Sequence, residues 1–259
     1  MPHIEGRVCI EAALAARKRR FDVILVAHGT HTEKLHDLRS LAEQLGVPLK
    51  TVLREELDAM AHGRSHGGVI AVCSPRPRET WPTLLERLDG LPAGKSPLLL
   101  LLEGVDDARN LGFTLRTAEA FGVDAVLLKK HLWDFDEGDV SRSSSGAYER
   151  LPLVQFEDAE RLSDLQARGI RVYGCLAGVR RSIYRTRLTG GVCLAVGGEK
   201  RGLSGAVRRR CDRFVTLPTV AGAPSLSLTA ATAAVLSEAY RQRLLMAAAS
   251  EETSPETST

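Results

Sequence analysis

The chain has 259 residues, 44% of them hydrophobic and 26% charged, with a formal net charge of +3. That balance fits one large globular domain or two modest ones. It excludes a membrane-spanning chain, because the longest apolar run, Leu98 to Leu102, is far below the ~20 residues a spanning helix needs.

In chain order, residues 7–18 carry a helical pattern and FDVILVA (21–27) reads as a buried strand. TEKLHDLRSLAEQLG puts Leu35, Leu38, Leu41, Ala42 and Leu45 on one helical stripe that stops at Gly46. VPLKTVL then reads as a strand, REELDAMA as a short helix and GGVIAVC as a third strand, so residues 1–75 form a small α/β unit. Residues 76–96 lie in SPRPRETWPTLLERLDGLPAGKSP, dense in Pro, Gly and charge. They read as an interdomain linker with one short helical stretch around Trp81 to Leu88. Strands and helices then alternate: LLLLL, NLGFTLRTAEAFG (helix), DAVLL, an irregular segment to 150, LPLVQF, AERLSDLQARG (helix), RVYGCLA, VCLAV, LSGAVRRRC (helix), RFVTLP and SLTAATAAVLSEAYRQRLL (helix). That order predicts an α/β domain with a mainly parallel sheet over 97–245. An acidic tail, 246–259, has the composition of a disordered segment.

The 5 cysteines include no CxxC pair, and their odd number suits reduced thiols rather than a disulfide scaffold. The first twenty residues lack the apolar core and cleavage site of a signal peptide, so a soluble cytoplasmic protein is expected.

Ligands of open α/β sheets bind beyond the carboxyl ends of the strands, so the segments after each strand hold the candidate chemistry. After LLLLL comes NLGFTLR. Asn110 is placed as a helix N-cap, Leu111, Leu115 and Ala118 share a buried face, and Gly112, Arg116 and Glu119 share another. Gly112 permits close approach by a ligand or a neighbouring backbone; the plainer alternative is a cap followed by a solvated arginine. After VCLAV comes GGEKRG, a turn whose amides can meet an anion or polar ligand atoms, with Glu199 placed to accept hydrogen bonds. It lacks both G-x-G-x-x-G and the Walker A lysine, which argues against a dinucleotide or nucleoside-triphosphate fold. After RFVTLP comes TVAGAPSLSLTAATAA. Ser225 or Ser227 caps the last helix, whose small residues call for close packing against the sheet, a ligand-lined loop or another subunit.

In this order NLGFTLR, GGEKRGLS and LPTVAGAPSLSLTAA resemble the three motifs of the SpoU (TrmH-like) RNA 2'-O-ribose methyltransferases, a branch of the SPOUT superfamily. SSSGAYERLPLV looks like the family's serine-glycine-alanine segment, and the resemblance spans roughly 97–245. The stretch from HIEGRVCIEAAL to HGGVIAVCSP is similar to the L30e-like RNA-binding domain that many members carry. The resemblance implies an α/β fold with a deep C-terminal trefoil knot, S-adenosylmethionine held in the knot loops, and a homodimer. Matched residue by residue, the cofactor contacts fall on Cys175, Leu176, Ala177, Gly197, Leu217 and Leu226, and the catalytic positions on Asn110, Arg116, Glu199 and Ser225. Ser227 stands where the family has asparagine, and a hydroxyl is shorter than an amide and has one donor. The family mechanism gives the arginine a part in activating the ribose hydroxyl. A guanidinium, with its pKa above ~12, suits a phosphate clamp better than a literal base.

Candidate RNA contacts are the basic clusters Arg17, Lys18, Arg19, Arg20 and Arg180, Arg181, Arg185, Arg187, whereas Arg208, Arg209 and Arg210 read as a solvated helix face. Aromatics make up only 5%, which favours structured RNA, above all ribosomal RNA, over base stacking on a broad sheet. His28, His31 and His36 follow no metal-ligand spacing, and no metal is expected. The expected function is S-adenosylmethionine-dependent 2'-O-methylation of ribosomal RNA. The alternatives are an RNA-binding factor of the same fold, kept open by Ser227, and a transfer-RNA methyltransferase.

Overall fold

Runs that are alternating or wholly apolar in the sequence become strands of two sheets in the computed structural model, which describes residues 2–30, 32–61, 66–222 and 225–252. The N-terminal stretch contains β1 (His3–Glu5), α1 (Arg7–Ala16), β2 (Phe21–Ala27), α2 (His36–Gln44), β3 (Leu49–Val52), α3 (Arg54–Met60) and β4 (Val69–Cys73). Their sheet order is β1-β4-β2-β3, with β4 antiparallel to both β1 and β2 and β3 parallel to β2. The α2 stripe is buried as its period requires, Leu35, Leu38 and Ala42 closing on Ile10, Leu14, Ile24 and Ala71. The three-residue β1 is too short to show a period and leaves no signal in the sequence.

The rest of the chain forms α4 (Trp81–Asp89), β5 (Leu98–Glu103), α5 (Ala108–Ala120), β6 (Ala125–Lys129), α6 (Glu137–Ser143), α7 (Ala147–Arg150), β7 (Leu153–Phe156), α8 (Leu162–Ala167), β8 (Arg171–Cys175), β9 (Val192–Gly197), α9 (Gly205–Arg210), β10 (Arg213–Val215) and α10 (Leu228–Glu252). The second sheet has the order β10-β8-β9-β5-β6-β7, and every pairing is parallel. Strands of such a sheet are covered on both faces, which is why β5 and β9 are apolar runs without alternation. One core gathers Leu99, Leu101, Leu127, Cys193 and Ala195 from the strands with Trp81, Leu84, Leu162 and Val207 from helices. The expected linker, 76–96, thus supplies a core helix: Thr80 caps α4, and Trp81 donates its ring N–H to Asp164 at 2.9 Å. The expected tail is also partly structured. α10 runs on through 246–252, where Met and three alanines favour helix, while 253–259 lie outside the described residues.

Two compact units result. One is Met1–Arg78 with Asp107–Arg116 and Asp134–Leu151; the other is Glu79–Asp106, Thr117–Trp133 and Pro152–Thr259. The segment expected to be irregular up to 150 is therefore α6 and α7 of the first unit. Asp136 caps α6, and Gly146, at φ 82°, restarts the chain as α7. A Cβ on Gly146 would lie 2.5 Å from the Ala12 methyl, so glycine lets α7 seat directly on α1. Beside it Glu149, fully buried, takes both Nε and Nη2 of Arg19 at 2.9 Å. Arg19 also donates to the Ser74 carbonyl, and Lys18 to the carbonyls of Arg150 and Leu151. Two of the four residues expected as one basic cluster, Lys18 and Arg19, thus hold the unit together, while Arg17 and Arg20 are exposed.

Candidate active site

Strands β10, β8 and β9 are parallel neighbours, so their carboxyl ends lie side by side, and the loops that leave them surround a cavity of about 320 Å3 in the second unit. Cys175, Leu176 and Ala177 come from the end of β8, Gly197 and Glu199 from the end of β9, and Leu217 from just after β10. Ser225 and Leu226 lead into α10, and all of these line the cavity. Every position matched to a cofactor contact in the sequence therefore shares one space. Burial pushes the Cys175 thiol up to about 12, so it lines that space as a neutral S–H.

The GGEKRG turn is held by its own backbone. Gly198 N–H donates to the Glu103 carbonyl at 2.7 Å and Gly202 N–H to the Gly198 carbonyl at 2.9 Å. Those two amides are taken up internally, so the anion-cradle reading of the turn does not apply to them. A Cβ on Gly197 would lie 2.2 Å from the Gly202 carbonyl carbon, and one on Gly198 only 1.6 Å from the Gly104 oxygen. Glycine is required at both places by close backbone packing, and one wall of the cavity is consequently main chain. Sequence reasoning missed Glu103, which pins this loop at both ends. Its carbonyl takes Gly198 N–H, and its carboxylate takes Ser204 N–H at 2.6 Å and faces Lys129 at 3.5 Å. The available signal was a single acid closing the all-leucine run of β5.

Glu199 and Ser227 meet at the start of α10. Glu199 Oε1 accepts Leu228 N–H at 3.1 Å, placing a carboxylate at the positive end of the helix. Ser227 Oγ accepts Ala230 N–H at 3.3 Å, and its carbonyl accepts Ala231 N–H at 2.9 Å; Ser227 is the N-cap. Ser225 lines the cavity and Ser227 does not. Ala223 and Pro224, just before them, lie outside the described residues.

Asn110 and Arg116 lie on α5 in the first unit. Asn110 is not the N-cap expected from its position. Asp107 fills that role, accepting Asn110 N–H at 2.8 Å and the Asn110 side-chain amide at 2.9 Å. A carboxylate a few residues farther out starts the helix earlier, and the Asn110 side chain spends its N–H on that carboxylate rather than its oxygen. Arg116 is exposed and forms no ion pair among the described residues. Gly112 serves packing rather than a ligand, since a Cβ there would lie 1.9 Å from Ser143 Oγ of α6. Among the described residues no group of three or more His, Cys, Asp or Glu is arranged to hold a metal ion, and His31 lies outside them.

Residues 97–237 match the model of the SpoU rRNA Methylase family. The chain belongs to that family. Residues 3–78 match a second model, that of the RNA 2'-O ribose methyltransferase substrate-binding domain. This SpoU chain is similar to the 23S rRNA (guanosine-2'-O-)-methyltransferase RlmB of Vibrio vulnificus (strain CMCP6), at 34% identity over 93% of this chain and 97% of that protein. RlmB of Pseudomonas aeruginosa is 35% identical over 93% of this chain and 96% of its own length. Among solved structures, the SpoU methyltransferase AviRb from Streptomyces viridochromogenes aligns with a TM-score of 0.77 at 25% identity, covering 94% of this chain and 90% of AviRb. A TrmH/SpoU tRNA modifying enzyme of A. aeolicus shares the fold over a shorter span. Its TM-score is 0.53 at 22% identity, with 68% of this chain and 90% of that one covered. No helix among the described residues is long and apolar enough to cross a membrane.

Proposed function

We propose that this SpoU protein transfers a methyl group from S-adenosylmethionine to the 2'-hydroxyl of a guanosine in 23S rRNA. The observation that carries the reading is the single cavity that gathers the matched cofactor positions, in a chain similar over 93% of its length to RlmB proteins. The residues present fit the cofactor. Leu176, Leu217 and Leu226 offer apolar sides to an adenine, and the main-chain wall at Gly197 and Gly198 offers close approach without side chains. The loops after β8, β9 and β10 are the parts that the family's trefoil knot would use.

When bound, the cofactor supplies an electrophilic methyl group on a sulfonium centre. The protein's part is to align the ribose hydroxyl and ease the loss of its proton, and alignment alone accounts for much of such a rate enhancement. In this reading Arg116 clamps the RNA phosphate and stabilises the charge developing on the ribose oxygen, and the Asn110 amide oxygen accepts from the ribose. Glu199 and Ser227 act one step back: they anchor the start of α10, which brings Ser225 and Leu226 to the cavity.

RNA contacts in the second unit fall on Arg180, Arg181, Arg185 and Arg187. All four are exposed and none is ion-paired among the described residues. Their segment is tied to the cavity wall, with Thr216 N–H on the Arg181 carbonyl at 2.8 Å and Ile183 N–H on the Thr216 carbonyl at 2.9 Å. The rRNA reading is favoured over the transfer-RNA alternative by the similarity to 23S rRNA methyltransferases over 93% of this chain. The binding-factor alternative rested on Ser227, and a serine performs the capping that an asparagine would. A homodimer fits the apolar side chains that α10 leaves exposed, Tyr240, Leu244, Leu245 and Met246, and the reading places the protein in the cytoplasm with its substrate. Arg116→Ala should abolish transfer of labelled methyl to rRNA while calorimetry shows unchanged cofactor affinity. Loss of both together would count against the role given to Arg116.

A further inference from the structure

With Arg19 and Lys18 occupied inside the first unit, the cluster at 17–20 leaves only Arg17 and Arg20 exposed, and that unit has a second group of cationic side chains elsewhere. The amino end of β2, next to Arg20, is one end of the sheet; the other end lies about 20 Å away along the strand. There a cavity of about 310 Å3 opens, with Arg7, Arg54 and His28 around it and no acidic side chain among the described residues that line it. Arg54 and His28 are exposed, and Arg54 has no ion-pair partner among the described residues. Arg7 is held against Glu11, which fixes its position.

The rest of the described lining is Thr30, Leu35 and Val69 with three glycines, Gly29, Gly67 and Gly68, each with φ between 60° and 79°. Glycine there keeps the rim free of side chains while the backbone turns sharply. The rim is also braced. His66, fully buried, accepts the Gly68 N–H on Nδ1 at 3.2 Å and faces Asp58 through Nε2 at 2.8 Å, which puts the ring proton on Nε2. A Cβ on Gly68 would lie 2.6 Å from Thr30 Oγ1, so the loops after β2 and before β4 approach each other closely only because this position carries no side chain. The result is a cationic mouth with three glycines on its rim at the carboxyl ends of β2 and β3.

We infer that this cavity is the primary RNA contact of the N-terminal unit, taking one unstacked nucleotide with its flanking phosphodiester between Arg54 and Arg7. The charge matches a phosphate, the volume lies at the small end of ligand pockets, ~300–1,000 Å3, and the open glycine rim admits a sugar–phosphate backbone. A stacked duplex presents no base that could enter such a mouth. The inference rests on the rRNA reading above but can fail separately from it.

The test uses the full-length protein and two probes, an unmodified 23S rRNA transcript and a fully paired RNA duplex, with binding followed over a salt series. Arg54→Glu should weaken binding of the transcript at least about tenfold, and Arg54→Ala should flatten the salt dependence by about one unit of slope. Arg20→Glu, at the opposite end of β2, should change neither, and cofactor affinity should be the same in all variants. Transcript binding that Arg54→Glu leaves intact, or that Arg20→Glu weakens equally, would overturn the inference. An equal effect of Arg54→Glu on the duplex would overturn the unstacked nucleotide. If wild-type protein methylates rRNA while the Arg54 variants bind normally, this inference fails and the proposed function stands. If Arg54 governs binding but no methyl transfer occurs, the reverse holds.

Discussion

The Ser227 hydroxyl starts α10, a task that serine and asparagine perform about equally well, so an asparagine at this position could cap the same helix. Ser227→Asn should therefore leave stability and methyl transfer unchanged. Ser227→Ala should cost roughly 0.5–2 kcal/mol, read from urea unfolding, and should weaken cofactor binding because Ser225 and Leu226 lose their anchor. Glu103 is the more consequential side chain. It is the charged acceptor for Ser204 N–H, and removing such a partner from a buried site costs about 1.5–3 kcal/mol. Glu103→Ala should lower the unfolding midpoint and raise the cofactor dissociation constant together, whereas Glu103→Gln, which keeps an acceptor, should retain part of both.

At the scale of elements, the turn after β9 is tightly constrained by backbone against backbone, at both Gly197 and Gly198. Gly198→Ala would drive a methyl group into the Gly104 carbonyl, and because the neighbour is backbone, the turn itself must move. Cofactor binding measured by calorimetry should be lost while the far-ultraviolet circular dichroism of the fold persists. Such elements are legible in the sequence to differing degrees. β2 coincides with FDVILVA, and the α2 stripe is the buried face, because a covered strand and an amphipathic helix leave their period in the residue order. α6 and α7 leave no such trace, since SRSSSGAYER is polar and broken by Gly146 and its helices depend on Asp136, Arg19 and α1. The start of α5 is ambiguous for a related reason. Asn110 and Asp107 are both good caps, and only the hydrogen bonds decide between them. The positions matched to the cofactor come from resemblance to family motifs, not from periodicity, and their meeting in one cavity depends on the order of β10, β8 and β9, which no local pattern encodes.

For the molecule as a whole, the sequence reads as contiguous pieces, 1–75, 76–96 and 97–245, while in space 107–116 and 134–151 cluster with the N-terminal stretch. The buried pair of Arg19 and Glu149 joins those pieces. Pairing with Glu149 and Glu137 outweighs burial and holds the guanidinium firmly charged. Glu149→Ala would leave that charge buried with its main partner gone, at a cost of about 3–5 kcal/mol. Urea denaturation should show this loss, and Arg19→Met paired with Glu149→Leu should recover much of it. Because Asn110 and Arg116 belong to the unit that this pair stabilises, methyl transfer should fall in Glu149→Ala while the cavity of the second unit still binds the cofactor.

The most direct measurement of the central claim is incubation of the purified protein with labelled S-adenosylmethionine and unmodified 23S rRNA, then mapping of alkali-resistant linkages. The account predicts label at a single guanosine as 2'-O-methylguanosine, lost in Arg116→Ala. Cofactor binding with no label in the rRNA, or label on a base instead of a ribose, would contradict it.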